Sequence, residues 1–247
     1  MKKPLISVHL WTEHFLGIEE ARRFLLMIKS LEGGKWTPDK WSQFEPIKNA
    51  FAGDIEDQLI SAWCEERQGR ISNAIYFAKK KPALLLGVTN WRGTVPNLNY
   101  IWFDMEANEF AGSDGVERLK HVVTEFIAWS GAVYATAWRS GQHHNRSAPG
   151  DPTKRLDQLN WLTFFGTPYL NLLGEDLIRN CPFYSCEHIS DGLLLTAAEL
   201  PDSSVISESS DLLLRLENCL GSDLFATEAY PEVPCRVPSF DLRQTVA

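Results

Sequence analysis

The sequence from Trp161 to Leu173 reads Trp-Leu-Thr-Phe-Phe-Gly-Thr-Pro-Tyr-Leu-Asn-Leu-Leu. Its first five residues are aromatic, aliphatic or β-branched and carry no charge, which predicts a strand buried on both faces. Gly166 permits a sharp turn, Thr167 can cap a helix with its hydroxyl, and Pro168 suits a first helical position. The stretch therefore predicts a strand–turn–helix elbow in the protein core.

A catalytic role for this elbow is the alternative interpretation. The nucleophile elbow of an α/β-hydrolase needs Gly-x-Ser-x-Gly, so that a serine stands exposed at the turn. The turn here offers Gly166, Thr167 and Pro168 and no serine. A structural role is favoured.

The rest of the chain predicts an α+β fold. Helical spacing of apolar residues predicts helices over 18–31, 54–67, 114–131 and 212–220. Apolar, β-rich runs predict strands over 5–10, 73–78, 83–91, 99–104, 133–138, 183–189 and 193–197. Residues 35–51 and 139–157 are expected to form loops, the first of them with short helical turns.

Short connections between neighbouring runs imply antiparallel pairing. We therefore expect a mainly antiparallel sheet with helices packed against it. No repeat or obvious linker divides the sequence. Residues 1–247 are predicted to form a single domain, with an irregular, proline-containing tail from about 222.

The net charge of −8 argues against direct nucleic-acid binding. From Glu199 to the C-terminus there are nine acidic and three basic residues, a balance of −6 that leaves −2 for the first 198 residues. This acidic segment is either a solvated face or a surface that attracts a basic partner and accelerates association.

Cysteine usage and hydropathy indicate a cytoplasmic protein. The five cysteines are widely spaced and contain no Cys-x-x-Cys pair, so we expect reduced thiols rather than a disulfide framework: Cys64, Cys181, Cys186, Cys219 and Cys235. The N-terminal apolar run is too short and polar for a signal peptide. No run of about eighteen apolar residues predicts a membrane span.

Two groups of residues are candidates for catalysis or metal binding. Adjacent His143 and His144 do not converge on one metal ion in a regular element. Asp104 and Glu106 lie two apart in a predicted strand, so both carboxylates share a face, but a metal nuclease also needs a third acid. There is no phosphate-binding glycine loop or dinucleotide fingerprint. We therefore expect no enzymatic activity, no cofactor and no metal.

Tryptophan–arginine pairs are the candidate anchors for a protein partner. Trp91-Arg92 and Trp138-Arg139 each leave a predicted strand for a loop, and tryptophan and arginine dominate binding hot spots. The alternative is a core tryptophan beside an arginine whose stem lies along apolar surface.

The elbow also carries a family resemblance. Trp-Leu-x-Phe-Phe-Gly-x-Pro-Tyr at 161–169, together with Tyr-Pro-x-Val-Pro at 230–234, resembles immunity proteins of bacterial polymorphic-toxin and type VI secretion systems, in particular the immunity protein 52 family. The resemblance implies an antitoxin that serves bacterial competition. Its partner would be a cognate toxin, in this family a restriction-endonuclease-like DNase. Separately from the resemblance, we expect the protein to be a monomer or homodimer.

Charge suggests how such an inhibitor could act. A nuclease presents basic groups to phosphate, so an acidic patch over 202–232 could occupy its groove. The carboxylates chosen as contacts are Glu208, Asp211, Glu217 and Asp223. A metal-dependent hydrolase using Asp104, Glu106 and a histidine of the His143 loop is one alternative. An adaptor or chaperone for effector loading is another.

Overall fold

The computed structural model describes residues 3–53, 55–67, 70–139, 151–156, 158–201, 210–225 and 236–246. The chain divides into two compact units. The first comprises Met1–Ala132 and Asp241–Ala247, and the second comprises Val133–Phe240.

The first unit contains seven strands among its described residues, and all their pairings are antiparallel. In sheet order β1-β7-β6-β5-β2-β3, with β4 paired to β5, they are β1 (Leu5–Thr12), β2 (Lys40–Ser42), β3 (Asn49–Ala50), β4 (Glu66–Arg67), β5 (Arg70–Lys79), β6 (Leu84–Arg92) and β7 (Asn99–Glu106). The alternation of side chains along a strand sends Val8, Leu86 and Phe103 to one buried face.

Three α-helices lie among the described residues of the same unit: α1 (Ile18–Ser30), α2 (Glu56–Trp63) and α3 (Gly112–Ser130). An aromatic cluster forms their common core with the sheet. The Phe24 ring lies 5.4 Å from that of Trp63, 5.0 Å from Phe77 and 5.1 Å from Trp129. Such aromatic pairs stabilise the core by about 0.5–1.5 kcal/mol each beyond the apolar area that they bury.

The second unit is built around the predicted elbow. Its antiparallel strand order is β10-β11-β9-β8, with β8 (Ala132–Arg139, from Val133 in this unit), β9 (Leu162–Phe165), β10 (Ser185–Ile189) and β11 (Gly192–Thr196). Its helices are α4 (Thr167–Leu173), α5 (Glu175–Asn180) and α6 (Ser210–Leu220). Every residue of β9 is buried, as predicted.

The elbow differs from expectation in its cap. Gly166, rather than Thr167, is the N-cap of α4, and its N–H donates to the carbonyl oxygen of Val133 at 3.0 Å. The Thr167 hydroxyl instead donates to the Asp191 carboxylate at 3.0 Å. Pro168 is therefore the second rather than the first residue of the helix, where its missing N–H is still not needed.

The predicted α+β class and the mainly antiparallel sheet are confirmed. Two local predictions were wrong. Residues 35–51 contain β2 and β3 rather than helical turns only, and the helix expected over 54–67 ends at Trp63 and is followed by β4. In both places a short segment forms backbone hydrogen bonds with another strand. The spacing of apolar residues along the sequence does not indicate such pairing. The single-domain assignment stays a prediction.

The expectation of reduced cysteines was wrong for one pair. Cys181, which follows α5, forms a disulfide with Cys219 of α6, and their Cα atoms lie 5.7 Å apart. Packing of α5 against α6 brings together cysteines separated by 38 positions. Cys64 and Cys186 carry free thiols, and Cys235 lies outside the described residues.

Reduction of this disulfide is expected to lower the free energy of unfolding by about 4 kcal/mol. The cross-link closes a loop across 38 positions and so restricts the unfolded chain, and reduction restores the conformational entropy of that chain. Urea denaturation with and without a reductant measures the difference. Replacing the free Cys186 by serine is the control and should not remove the effect of the reductant. Alkylation of every cysteine in unreduced, denatured protein would contradict the disulfide.

Candidate partner-binding surface

The anchor pair Trp91-Arg92 lies at the end of β6, where the chain turns towards β7. The C-terminal segment lies against this turn. The Gly93 N–H donates to the Thr245 carbonyl oxygen at 2.9 Å, and the Asn97 N–H donates to the Thr245 hydroxyl at 3.3 Å. Thr245 is fully buried, so the β6–β7 turn and the C-terminal segment are fixed against each other.

Five side chains around this contact form what we call the hairpin–tail surface: Phe15, Trp91, Arg92, Val95 and Val246. Val95 is 64% exposed and Val246 is 39% exposed. The Arg92 guanidinium lies 5.5 Å from the centre of the Phe15 ring, and its Nε donates to the Val246 carbonyl oxygen at 3.5 Å. Arg92 is thus held by a cation–π contact and by the C-terminal segment.

Trp91 is half-buried and its orientation is fixed. Its indole N–H donates to the carbonyl oxygen of Val95 at 2.8 Å, and its backbone N–H donates to the side-chain oxygen of Asn99. The ring covers Gly93, where an added Cβ would lie 2.8 Å from it. The conformation of the turn therefore depends on glycine at this position.

This surface has the composition of a binding hot spot. It combines a tryptophan and an arginine with exposed aliphatic side chains. Because hydrogen bonds already order the Trp91 and Arg92 side chains, these two would lose little conformational entropy on binding.

A charged rim flanks the hairpin–tail surface. The Asp241 carboxylate accepts a hydrogen bond from the Arg243 Nε at 2.7 Å, and this pairing holds the pKa of Asp241 at about 2. The Asp241 N–H donates to the Glu13 carboxylate at 2.5 Å. The rim therefore presents an ionised Asp241 at neutral pH.

The second predicted anchor pair belongs to the other unit. Trp138 and Arg139 end β8, and both are half-buried. Residues 140–150, which follow them and include His143 and His144, lie outside the described residues.

The predicted acidic contacts occupy different environments. Asp211 is exposed in the first turn of α6, and Glu208 lies outside the described residues. The Glu217 carboxylate accepts a hydrogen bond from the Leu159 N–H at 2.8 Å. Asp223 forms an ion pair with Arg236, whose Nε lies 3.4 Å from its carboxylate. Glu217 and Asp223 thus have partners within their own unit, and the role of all four as toxin contacts stays a prediction.

Asp104 and Glu106 do share one face of β7. The Ser7 hydroxyl donates to Asp104 at 2.6 Å, while burial raises the pKa of that carboxyl. Glu106 accepts hydrogen bonds from the Lys3 ammonium and the Ala83 N–H, and the bond from Lys3 is the main cause of its lowered pKa. Within the described ranges, no three His, Cys, Asp or Glu side chains group closely enough to hold a metal ion.

A polar and aromatic cluster on β1 and β7 was missed by sequence reasoning. His9 Nδ1 shares a hydrogen bond with the Tyr100 hydroxyl, and the Trp11 and Tyr100 rings lie 5.1 Å apart. Burial lowers the pKa of His9 to about 3 and raises the pKa of Tyr100. Strand alternation places His9 and Trp11 on one face, but only the β1–β7 register brings Tyr100 opposite Trp11.

His9 is expected to make the protein less stable in acid. The folded chain keeps the imidazole neutral down to about pH 3, whereas the unfolded chain takes up a proton near its ordinary pKa of about 6.5. Stability contributed by neutral His9 is present above pH 6.5 and is lost as the pH falls towards 3, by about 1.4 kcal/mol per pH unit.

Urea denaturation of wild type and His9→Gln from pH 7 to pH 4 measures this contribution. The variant should show the shallower loss of stability in acid. His188→Gln, at an exposed histidine 3.5 Å from the Glu175 carboxylate, is the comparison: it removes only a surface ion pair worth at most about 1 kcal/mol and should leave the slope close to that of the wild type. Equal slopes for wild type and His9→Gln would show that His9 does not titrate differently in the two states.

Comparison with known proteins identifies a structural relative. No protein-family model matches the chain, and no curated protein sequence matches it. The chain is similar to a solved structure described as the Pseudomonas aeruginosa T6SS protein PA0821, with a TM-score of 0.56 and 12% sequence identity. The match covers 99% of this chain and 82% of that one, so the two share a fold over most of their length. Among the described residues, no helix has both the length and the hydropathy needed to cross a membrane.

Proposed function

We propose that this chain is a type VI secretion immunity protein, an antitoxin that binds a cognate effector and neutralises it. The observation that carries the proposal is the likeness to the T6SS protein, which extends over 99% of the chain. The resemblance of residues 161–169 to immunity proteins supports it independently. The tail motif at 230–234 lies outside the described residues.

The hairpin–tail surface is the proposed contact with the effector. Its exposed Val95 and Val246 and its fixed Trp91 and Arg92 supply a hot spot without rearrangement. The effector is a restriction-endonuclease-like DNase in this proposal, and its target, DNA, places inhibition in the cytoplasm. The Cys181–Cys219 disulfide removes cysteine usage as an argument for that location. The protein acts stoichiometrically and not as an enzyme.

Co-expression with the product of the adjacent gene in a sensitive host tests the proposal. Survival with intact DNA, together with co-purification of the two proteins, is expected. Co-purification with undiminished DNA cleavage would instead identify an adaptor or chaperone. A stoichiometric metal ion in purified protein, with no rescue, would favour the hydrolase alternative.

The acidic segment is expected to act on association kinetics. Replacing the exposed Asp211 by asparagine should slow association with the effector by about twofold at low salt and have little effect at high salt, because ions screen exposed charges. Stopped-flow fluorescence at several salt concentrations measures the rates. Asp176→Asn, at an exposed position of α5, is the matched control. An unchanged rate for Asp211→Asn would exclude Asp211 from the acidic patch proposed to occupy the nuclease groove.

A further inference from the structure

A cleft lies between the β2–β3 hairpin and α2 in the first unit. Its volume is about 490 Å³, within the range of about 300–1,000 Å³ that is usual for small-ligand sites. The hairpin contributes Trp41, Ser42, Gln43, Phe44, Lys48 and Asn49. The helix and the residues after it contribute Gln58, Ser61, Ala62 and Glu65.

The helical spacing of the second set explains why α2 presents a polar wall. Positions 58, 61 and 62 are three and four apart within α2 and therefore lie on one side of the helix, and Glu65 follows the helix end. Leu59 and Trp63 occupy a different side of α2 and are buried in the core. The cleft therefore has the polar side of α2 as one wall and the β2–β3 hairpin, at the edge of the sheet, as the other.

Hydrogen bonds hold the two walls together. The Gln43 side-chain amide donates to the Ala62 carbonyl oxygen at 2.9 Å and to the Glu65 carboxylate at 3.0 Å. The Asn73 side-chain amide donates to the Glu65 carbonyl oxygen at 2.8 Å. The cleft is therefore preformed rather than dependent on a ligand for its shape.

Two aromatic residues, Trp41 and Phe44, line the cleft. Phe44 is 65% exposed at the edge of the cleft. Trp41 is buried, and its indole N–H has no acceptor among the described residues. The indole nitrogen itself is covered, so Trp41 lends apolar surface to the cleft, and the polar contacts must come from the amide and hydroxyl groups of the lining.

We propose that this cleft binds a neutral, hydroxyl-rich ligand of the size of one or two sugar rings. A sugar presents C–H groups on its face, which suit the exposed Phe44 ring, and hydroxyl groups at its edge. Each hydroxyl both donates and accepts, as do the Asn49 and Gln58 amides and the Ser61 hydroxyl.

The lining charges argue against a phosphate ligand, and the short edge strand argues against an extended peptide. The lining carries one lysine and one glutamate, so it has no excess of cations for a phosphate. The edge strand β3 is two residues long and offers little backbone for pairing with an extended peptide.

Isothermal titration of the full-length protein with glucose, N-acetylglucosamine, cellobiose and chitobiose tests this site. Binding of at least one of them with a dissociation constant of about 1 mM is expected. Phe44→Ala and Gln58→Ala should each weaken it by about tenfold. Tyr184→Ala, which removes an aromatic ring that is 62% exposed in the second unit, is the matched control and should bind as the wild type does.

Circular dichroism and thermal unfolding establish that each variant is folded. No binding of any of the four sugars to folded wild type would overturn the proposal. Binding unaffected by both Phe44→Ala and Gln58→Ala would also overturn it, because the sugar would then lie elsewhere. Binding of adenosine monophosphate or of a Gly-Phe dipeptide in place of the sugars would assign the cleft to another ligand class.

Discussion

Replacing Trp63 by alanine is expected to lower the free energy of unfolding by about 4 kcal/mol, because large-to-small substitutions of buried aromatic residues leave a cavity. Trp63 is fully buried, and its ring packs against those of Phe24 and Trp129. Its indole N–H donates to the carbonyl oxygen of Leu16 at 2.9 Å. In Trp63→Ala this buried oxygen would lose its hydrogen-bond donor. Urea denaturation at 25 °C measures the loss.

Two further variants separate the contributions. Trp63→Phe keeps an aromatic ring but removes the donor, so it should cost about 1–2 kcal/mol. Leu26→Ala truncates a side chain of α1 that is 71% exposed and should change stability by less than about 0.5 kcal/mol. A stability of Trp63→Ala equal to that of wild type would contradict the aromatic cluster as the core of the first unit.

Local sequence signals were sufficient for most of the fold. Strands β5, β6 and β7 follow from three apolar runs joined by short polar connections, and helix α3 follows from its helical spacing and from Gly131, which has positive φ at the helix end. These signals lie within a few residues of the elements that they predict. These elements can therefore be predicted without knowledge of the rest of the chain.

Long-range pairing explains what was missed. Trp41 of β2 pairs with Phe77 of β5, and neither neighbourhood alone indicates that contact. The disulfide joins Cys181 and Cys219 across 38 positions, and the irregular spacing of the cysteines gives no sign of it. Such contacts depend on packing of elements, and not on local propensity.

The candidate surface was predictable in part. Residue type alone indicated Trp91 and Arg92 as anchors, and the structure places them beside the exposed Val95. The C-terminal segment that fixes this turn comes from 148 positions away, where the Thr245 hydroxyl accepts the hydrogen bond from Asn97. No motif at either end indicates the contact, so the sequence could suggest the anchors but not the surface.

Replacing Val95 by aspartate is expected to weaken binding of the effector by about 100-fold, close to 2.7 kcal/mol. The substitution would place a charge at the centre of the hairpin–tail surface, where binding would have to desolvate it. Because Trp91 bonds to the backbone oxygen of Val95, the turn should keep its structure in the variant. Surface plasmon resonance with the co-purified effector measures the affinity.

The control introduces the same charge elsewhere. Leu26→Asp adds an aspartate at an exposed aliphatic position of α1, so it matches Val95→Asp in chemistry and in exposure. It should leave the affinity within about twofold of wild type, because surface substitutions away from an interface have small effects. Wild-type affinity of folded Val95→Asp would place the effector on another surface, and a loss confined to Leu26→Asp would place it on α1. The comparison therefore tests the location of the interface separately from the existence of the complex.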